Sequence, residues 1–99
     1  MEVRDATIEN ELGLFARPAT FFIQKANEFK STVWVDFKSK RVNAKSLLGV
    51  LSLAVGKGDT IKIVAEGPDE KEAVESIVKI IDNYFADYEQ KEEDSNETS

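Results

Sequence analysis

The sequence predicts an α+β domain of two layers, an open-faced sandwich in which three helices cover one face of a four-stranded antiparallel sheet. Four segments alternate apolar and polar residues, as half-buried strands do. Three further segments repeat apolar residues at three- and four-residue steps, as amphipathic helices do. Their order along the chain is βαββαβα. With 99 residues, 41% of them apolar and 32% charged, the chain suits a single small domain.

The first half of the chain predicts a strand, a helix and a hairpin. The strand lies near residues 2–9, with Ala6 and Ile8 on its inner face. A loop containing Gly13 follows, and a helix is predicted from Pro18 to about Phe29, because Pro18 costs no hydrogen bond in a first turn. The predicted buried stripe of this helix is Ala19, Phe22, Ile23, Ala26 and Phe29.

The hairpin is predicted from residues 32–37 and a short strand around residues 41–43. Val33, Val35 and Phe37 form its inner face. Trp34 falls on the opposite face, where we interpret it as ordinary strand surface.

The second half predicts a short helix, a last strand and a long helix. Ser46 precedes an apolar run from residue 47 to residue 53 and is interpreted as the N-cap of the short helix. Ile61, Ile63 and Ala65 form the inner face of the last strand. Asp69 and Glu72 have the spacing of a capping box at the start of the long helix. The buried stripe predicted for that helix is Ala73, Ile77, Ile80, Ile81, Tyr84 and Tyr88.

The net charge of −6 is concentrated at the C-terminal end. Residues 89–99 contain five acids and one base, a net charge of −4, which leaves −2 for residues 1–88. We therefore predict one domain over residues 1–88 and a disordered acidic tail over residues 89–99. The nearly balanced domain offers no basic face for direct nucleic-acid contact.

The composition also excludes several classes of site. The chain has no histidine and no cysteine, so it can form neither a disulfide nor a thiolate or imidazole metal site. We predict no metal, no cofactor and no enzymatic activity. The start of the chain does not resemble a signal peptide, and its apolar runs are far shorter than the ~20 residues of a membrane helix. We expect a cytoplasmic protein without membrane contact.

Two segments, residues 13–19 (GLFARPA) and residues 42–54 (VNAKSLLGVLSLA), resemble motifs of the HPr phosphocarrier family of the bacterial sugar phosphotransferase system. The first is similar to its active loop, and the second to the region of its regulatory serine. The resemblance covers about residues 2–87 and implies the HPr-like fold. It departs at Phe15, because the family carries its phosphate on a histidine at this place. A phenyl ring has no nucleophilic nitrogen, so Phe15 is a degenerate phosphocarrier position.

The resemblance implies a regulatory role instead, like that of the histidine-less Crh branch, which usually has glutamine at the place of Phe15. In that branch the partners are HPr kinase/phosphorylase, which would phosphorylate Ser46, and a LacI-type regulator, catabolite control protein A, for which the protein would act as a corepressor. An unphosphorylated binding module that modulates a metabolic enzyme or a phosphotransferase-system protein is the alternative.

The family's partner-binding surface maps onto two helices of this chain. The residues it implies are Phe15, Arg17, Thr20, Phe21, Gln24, Leu47, Leu48 and Leu51. Two questions stay open at this point: Phe15 either packs onto its helix as a hydrophobic staple or joins an exposed patch, and Phe21 is either buried or exposed beside Leu47. Whether the chain is a monomer or a dimer that exchanges its first strand is also open.

Overall fold

The computed structural model describes residues 1–83 and confirms the predicted architecture and element order. Its elements are β1 (Glu2–Thr7), α1 (Ala16–Asn27), β2 (Thr32–Phe37), β3 (Lys40–Asn43), α2 (Leu47–Ser52), β4 (Thr60–Glu66) and α3 (Glu70–Asn83). The predicted tail at residues 89–99, the domain boundary at residue 88, and Tyr84 and Tyr88 lie outside the described residues.

The four strands form one antiparallel sheet in the order β1-β4-β2-β3. β4 is central, with Ile61 opposite Ala6 of β1 and Ile63 opposite Val35 of β2. These inward side chains are buried, as their alternation predicts. The buried residues of the helices are Pro18, Ala19, Phe22 and Ala26 of α1, Val50 of α2, and Ala73, Val74, Ile77, Ile80 and Ile81 of α3.

The open face of the sheet contains a buried apolar side chain, that of Val64, which the sequence pattern did not predict. Trp34 lies on this face as predicted, and it is opposite Val64 in the register of β2 and β4. Val64 is buried, although its neighbours Ile63 and Ala65 point to the opposite face of the sheet, where the core lies. The Arg41 guanidinium lies 5.3 Å from the centre of the Trp34 ring and donates two hydrogen bonds to Asp36, at 2.6 and 2.8 Å.

The predicted capping box at the start of α3 was wrong. The carboxylate of Asp69 accepts hydrogen bonds from the backbone N–H of Lys30 and from the N–H and hydroxyl of Ser31, at 2.9, 2.9 and 2.5 Å. The Asp69 N–H donates to the Ser31 hydroxyl at 3.2 Å instead of reaching Glu72. The Ser31 hydroxyl first, and the Lys30 N–H next, hold the pKa of Asp69 at about 2. These contacts fasten the beginning of α3 to the segment just after α1.

The loop between β1 and α1 packs against the segment that follows α2. Leu14 is fully buried, and its N–H donates to the carbonyl of Val55 at 3.0 Å. Gly13 has a φ of +69°, and a Cβ at this position would stand 2.5 Å from the Val55 carbonyl oxygen. Glycine has no Cβ, so it adopts this positive φ without strain and leaves room for the Val55 carbonyl. The loop therefore holds the beginning of α1 in place beside α2.

Candidate functional site

Ser46 is the N-cap of α2, as predicted. Its backbone is extended, and its hydroxyl accepts a hydrogen bond from the N–H of Gly49 at 3.2 Å. Its carbonyl accepts the first helical bond, from the N–H of Val50 at 3.0 Å. Ser46 is half-buried. Ser46 thus combines a structural role with a position that a second protein can reach.

Phe15 is the N-cap of α1, and its side chain makes no capping hydrogen bond. Phe15 is 38% exposed, which favours the exposed-patch interpretation over the hydrophobic staple. The residue before it, Leu14, is the buried one. Ala16 follows with a φ of +52°, a left-handed conformation that costs a non-glycine residue about 1–2 kcal/mol. α1 therefore begins without a polar cap and with a strained residue.

A surface depression of about 510 Å³ lies between α1 and α2. It joins six of the eight residues that the sequence predicts for partner binding. Phe21 is half-buried here, which lies between the two open alternatives of burial and exposure. The lining residues are Ala16, Arg17, Thr20, Phe21, Gln24, Leu47 and Leu51.

The other two partner-binding residues, Phe15 and Leu48, and the predicted phosphorylation site, Ser46, do not line this depression. Ser46 precedes α2, whereas Phe15 and Leu48 lie among the exposed hydrophobic side chains. Leu48 is 81% exposed and Leu47 is 44% exposed, because α2 buries Val50 and the following Leu53 instead. Leu12, also 44% exposed, was not predicted. It precedes Gly13 in a loop without helical or strand periodicity, so no pattern could indicate its orientation.

The electrostatics of this surface differ from those of the rest of the chain. The two segments that build it, residues 12–27 and 40–55, contain five bases and no acid. The bases are Arg17, Lys25, Lys40, Arg41 and Lys45. Three of them, Arg17, Lys25 and Lys45, belong to α1 or to the residue just before Ser46. We call the exposed sides of α1 and α2, with the depression between them, the acid-free face.

The described part of the chain provides no cluster suited to a metal. Within residues 1–83, no group of three or more acidic side chains is placed to hold an ion. No helix in that part is long and apolar enough to span a bilayer. The acid-free face offers the hydroxyls of Ser46 and Thr20, the cations of Arg17, Lys25 and Lys45, and exposed apolar side chains.

Comparison with known proteins finds matches along almost the whole described part. The family model for the "PTS HPr component phosphorylation site" matches residues 3–83. The chain is 43% identical over 82 residues to the HPr-like protein Crh of Halalkalibacterium halodurans, which covers 83% of this chain and 98% of that protein.

Solved structures of both branches have the same fold. The crystal structure of HPr-C-His from Thermoanaerobacter tengcongensis superposes with a TM-score of 0.84 at 45% identity, over 86% of this chain and 96% of that one. The crystal structure of Crh from Bacillus subtilis, described as a swapped dimer, superposes with a TM-score of 0.67 at 40% identity, over 83% of this chain and 94% of that one.

Proposed function

Because the chain belongs to the HPr family, we propose that it is a non-catalytic regulator of carbon catabolite repression, phosphorylated on Ser46. In this proposal the phosphorylated chain acts in the cytoplasm as a corepressor of a LacI-type catabolite control regulator. HPr kinase/phosphorylase adds the phosphate. The names of its relatives support this choice, since Crh is described as a catabolite repression HPr.

The observation that carries the proposal is the phenyl ring at residue 15. A phosphocarrier needs a side chain that accepts a phosphoryl group and releases it again, as an imidazole does near neutral pH. Phe15 can do neither, and the chain contains no histidine that could replace it. With residue 15 excluded as a phosphate carrier, the resemblance implies phosphorylation at one other group of this surface, the hydroxyl of Ser46.

The geometry at Ser46 suits a switch that changes the surface without refolding the domain. A phosphate adds about −1.5 to −2 charges, next to N–H groups at the start of a helix that favour negative charge. Arg17 and Leu47 line the neighbouring depression, so the added charge and the apolar contacts are available to one partner together.

The experiment is incubation with the kinase and ATP, followed by intact mass measurement and binding to the regulator. We expect one added phosphate, mapped to Ser46, and binding that depends on it. Ser46→Ala should abolish both, whereas Ser52→Ala, a serine of the same helix, should keep both. A chain that gains no phosphate, or that binds the regulator equally well as Ser46→Ala, contradicts the proposal.

A second experiment tests the loss of phosphorelay. With phosphoenolpyruvate and the first enzyme of the phosphotransferase system, the chain should gain no acid-labile phosphate. Phe15→His supplies the matched positive control, because it puts an imidazole at the N-cap of α1 beside Arg17. Label on the unchanged chain would show that another residue carries phosphate.

The exposed leucines favour one alternative, an unphosphorylated module that binds a metabolic enzyme or a phosphotransferase-system protein. Leu47 and Leu48 are exposed, and Leu47 lines the depression together with Phe21 of α1. Such binding should survive Ser46→Ala and weaken in Leu47→Ala. The corepressor function, in contrast, should be lost in Ser46→Ala.

A further inference from the structure

We propose that Lys45 is a positioning residue for Ser46. Its ammonium group ties the turn that precedes α2 to the end of α1, and so holds the Ser46 hydroxyl in place for the enzyme that phosphorylates it. The tether itself follows from the hydrogen bonds of the domain. Its consequence for phosphorylation rests on the function proposed above, because it concerns the same hydroxyl.

The tether is a hydrogen bond between residues that lie 16 positions apart in the chain. The Lys45 Nζ donates to the backbone carbonyl of Phe29 at 2.8 Å, in a partly buried contact. The last turn of α1 extends to Phe29, because its N–H donates to the carbonyl of Ala26 at 3.3 Å. The side chain of Phe29 packs against the core. The acceptor is therefore a fixed carbonyl at the C-terminal end of a helix, where partial negative charge favours a cation.

The surroundings of Lys45 differ from those of an ordinary surface lysine. Lys45 is half-buried, whereas most lysines of folded proteins are exposed. It forms no ion pair with any of residues 1–83. A hydrogen bond from a charged group contributes more than one between neutral groups. The bond to the Phe29 carbonyl should therefore contribute measurably to the order of the segment that carries it.

That segment is the turn that sets the direction of the Ser46 side chain. The backbone N–H of Lys45 donates to the side-chain oxygen of Asn43 at 2.8 Å, and the N–H of Ser46 donates to the Asn43 carbonyl at 3.1 Å. Ala44 is fully buried, and its N–H donates to the carbonyl of Val33 at 2.8 Å. The turn is thus fixed to β2 by its backbone and to α1 by the Lys45 side chain.

α2 depends on such contacts because it is too short to be stable by itself. It has six residues, whereas isolated helices shorter than about 12–15 residues are marginal in water. On its C-terminal side, the Leu14 N–H donates to the carbonyl of Val55 at 3.0 Å. On its N-terminal side, Lys45 is bonded to Phe29. Leu14 precedes α1 and Phe29 follows it, so the two contacts hold one wall of the depression against the other.

A tether of this kind acts on binding and not on the chemical step. When the turn is ordered in a smaller fraction of the molecules, the apparent affinity of an enzyme for it falls by that fraction. Loss of the tether should therefore raise the KM of Ser46 phosphorylation and leave kcat unchanged. We expect local opening of the turn to become about tenfold more frequent, which corresponds to about 1.4 kcal/mol.

Amide hydrogen exchange of the full-length chain tests the tether without any partner. Lys45→Met removes the ammonium group and keeps a long unbranched side chain. We expect exchange to become about tenfold faster at the amides of Ser46 and Val50, whose hydrogen bonds close the turn and begin α2. The amide of Ile63, in the central strand, should keep its rate. Lys45→Arg keeps a charged donor and should exchange like the unchanged chain.

Steady-state phosphorylation by HPr kinase/phosphorylase tests the positioning role. Lys45→Met should raise KM by about threefold or more at unchanged kcat, and Lys45→Arg should restore the original KM. Lys40→Met makes the same change of charge at an exposed lysine of β3, and should alter neither exchange nor KM. Asn43→Ala removes the acceptor of the Lys45 N–H and should resemble Lys45→Met, whereas Asn43→Asp keeps an acceptor and should not.

Three results would overturn the proposal. The first is exchange in Lys45→Met that is unchanged at Ser46 and Val50, or equally accelerated at Ile63. The second is a higher KM without faster exchange, which would make Lys45 a direct contact of the kinase. The third is faster exchange at an unchanged KM, which would leave Lys45 a structural role alone. Because the exchange experiment needs no kinase, it decides whether Lys45 holds the turn even when a chain that gains no phosphate contradicts the proposed function.

Discussion

Replacing Ser46 by alanine should lower the free energy of unfolding by about 1 kcal/mol, because it removes the cap of α2. The structure gives the reason for this moderate value. The hydroxyl accepts one hydrogen bond, from Gly49 at 3.2 Å, while the Ser46 carbonyl keeps its bond from Val50. A loss of this size should lower the melting temperature by about 4–8 °C in a domain of this length.

Equilibrium unfolding in urea measures this loss, and two further variants calibrate it. Ser52→Ala removes a hydroxyl that donates to the Gly49 carbonyl at the exposed end of the same helix, and should cost less than about 0.5 kcal/mol. Ser46→Asp keeps an acceptor at the cap and should leave the stability nearly unchanged. If Ser46→Ala unfolds at the same urea concentration as the unchanged chain, the cap does not stabilise α2.

The result also decides how the functional experiment is interpreted. Domains of this kind have about 5–15 kcal/mol of stability, so a loss of about 1 kcal/mol leaves nearly all molecules folded. Complete loss of regulator binding in Ser46→Ala then reflects the missing hydroxyl and not unfolding. A much larger destabilisation would refute both the estimate and that inference.

Two other predictions follow from the fold. The pKa of Asp69 is held at about 2, below its ordinary 3.8, so its hydrogen bonds stabilise the folded state fully above about pH 4 and are lost as the pH falls towards 2. Asp69→Asn should therefore reduce the change in melting temperature between pH 5 and pH 2, whereas the control Glu75→Gln should not; an unchanged pH profile in Asp69→Asn contradicts the assignment. Gly13→Ala should cost about 2–5 kcal/mol in a urea titration, from its left-handed backbone and a Cβ 2.5 Å from a carbonyl oxygen. Gly58→Ala shares the positive φ but meets nothing within 4 Å, so it should cost only about 1 kcal/mol, and equal losses would show that the contact at Gly13 is relieved.

Local sequence patterns predicted the elements and the cap at Ser46, because the forces concerned act within a few residues. The same logic was wrong at Asp69, whose spacing to Glu72 is that of a capping box. Its carboxylate instead binds Ser31, 38 residues earlier, and no local pattern records a partner at that distance. α1 begins at Ala16, two residues before the predicted start, because Pro18 fits the first turn at more than one position.

The candidate site was predicted from the family resemblance more than from periodicity. The two quoted motifs correspond to the helices that line the depression, and the family match over residues 3–83 confirms the resemblance itself. The roles of Ser46 and the partner-binding residues stay predictions. The exposure of Leu12 and the burial of Val64 could not be predicted, since both depend on how loops and strands pack in three dimensions.

The position of β4 in the sheet has a consequence for synthesis on the ribosome. β1 is synthesised before β4, which ends at Glu66, and within the described sheet it pairs with that strand alone. When α1 and the β2–β3 hairpin have left the ribosome, β4, the strand that lies between β1 and β2 in the sheet, has not yet emerged. Such non-local pairing slows folding, so β1 waits unpaired until β4, which ends at Glu66, has emerged. During that interval its edge is available to another nascent chain.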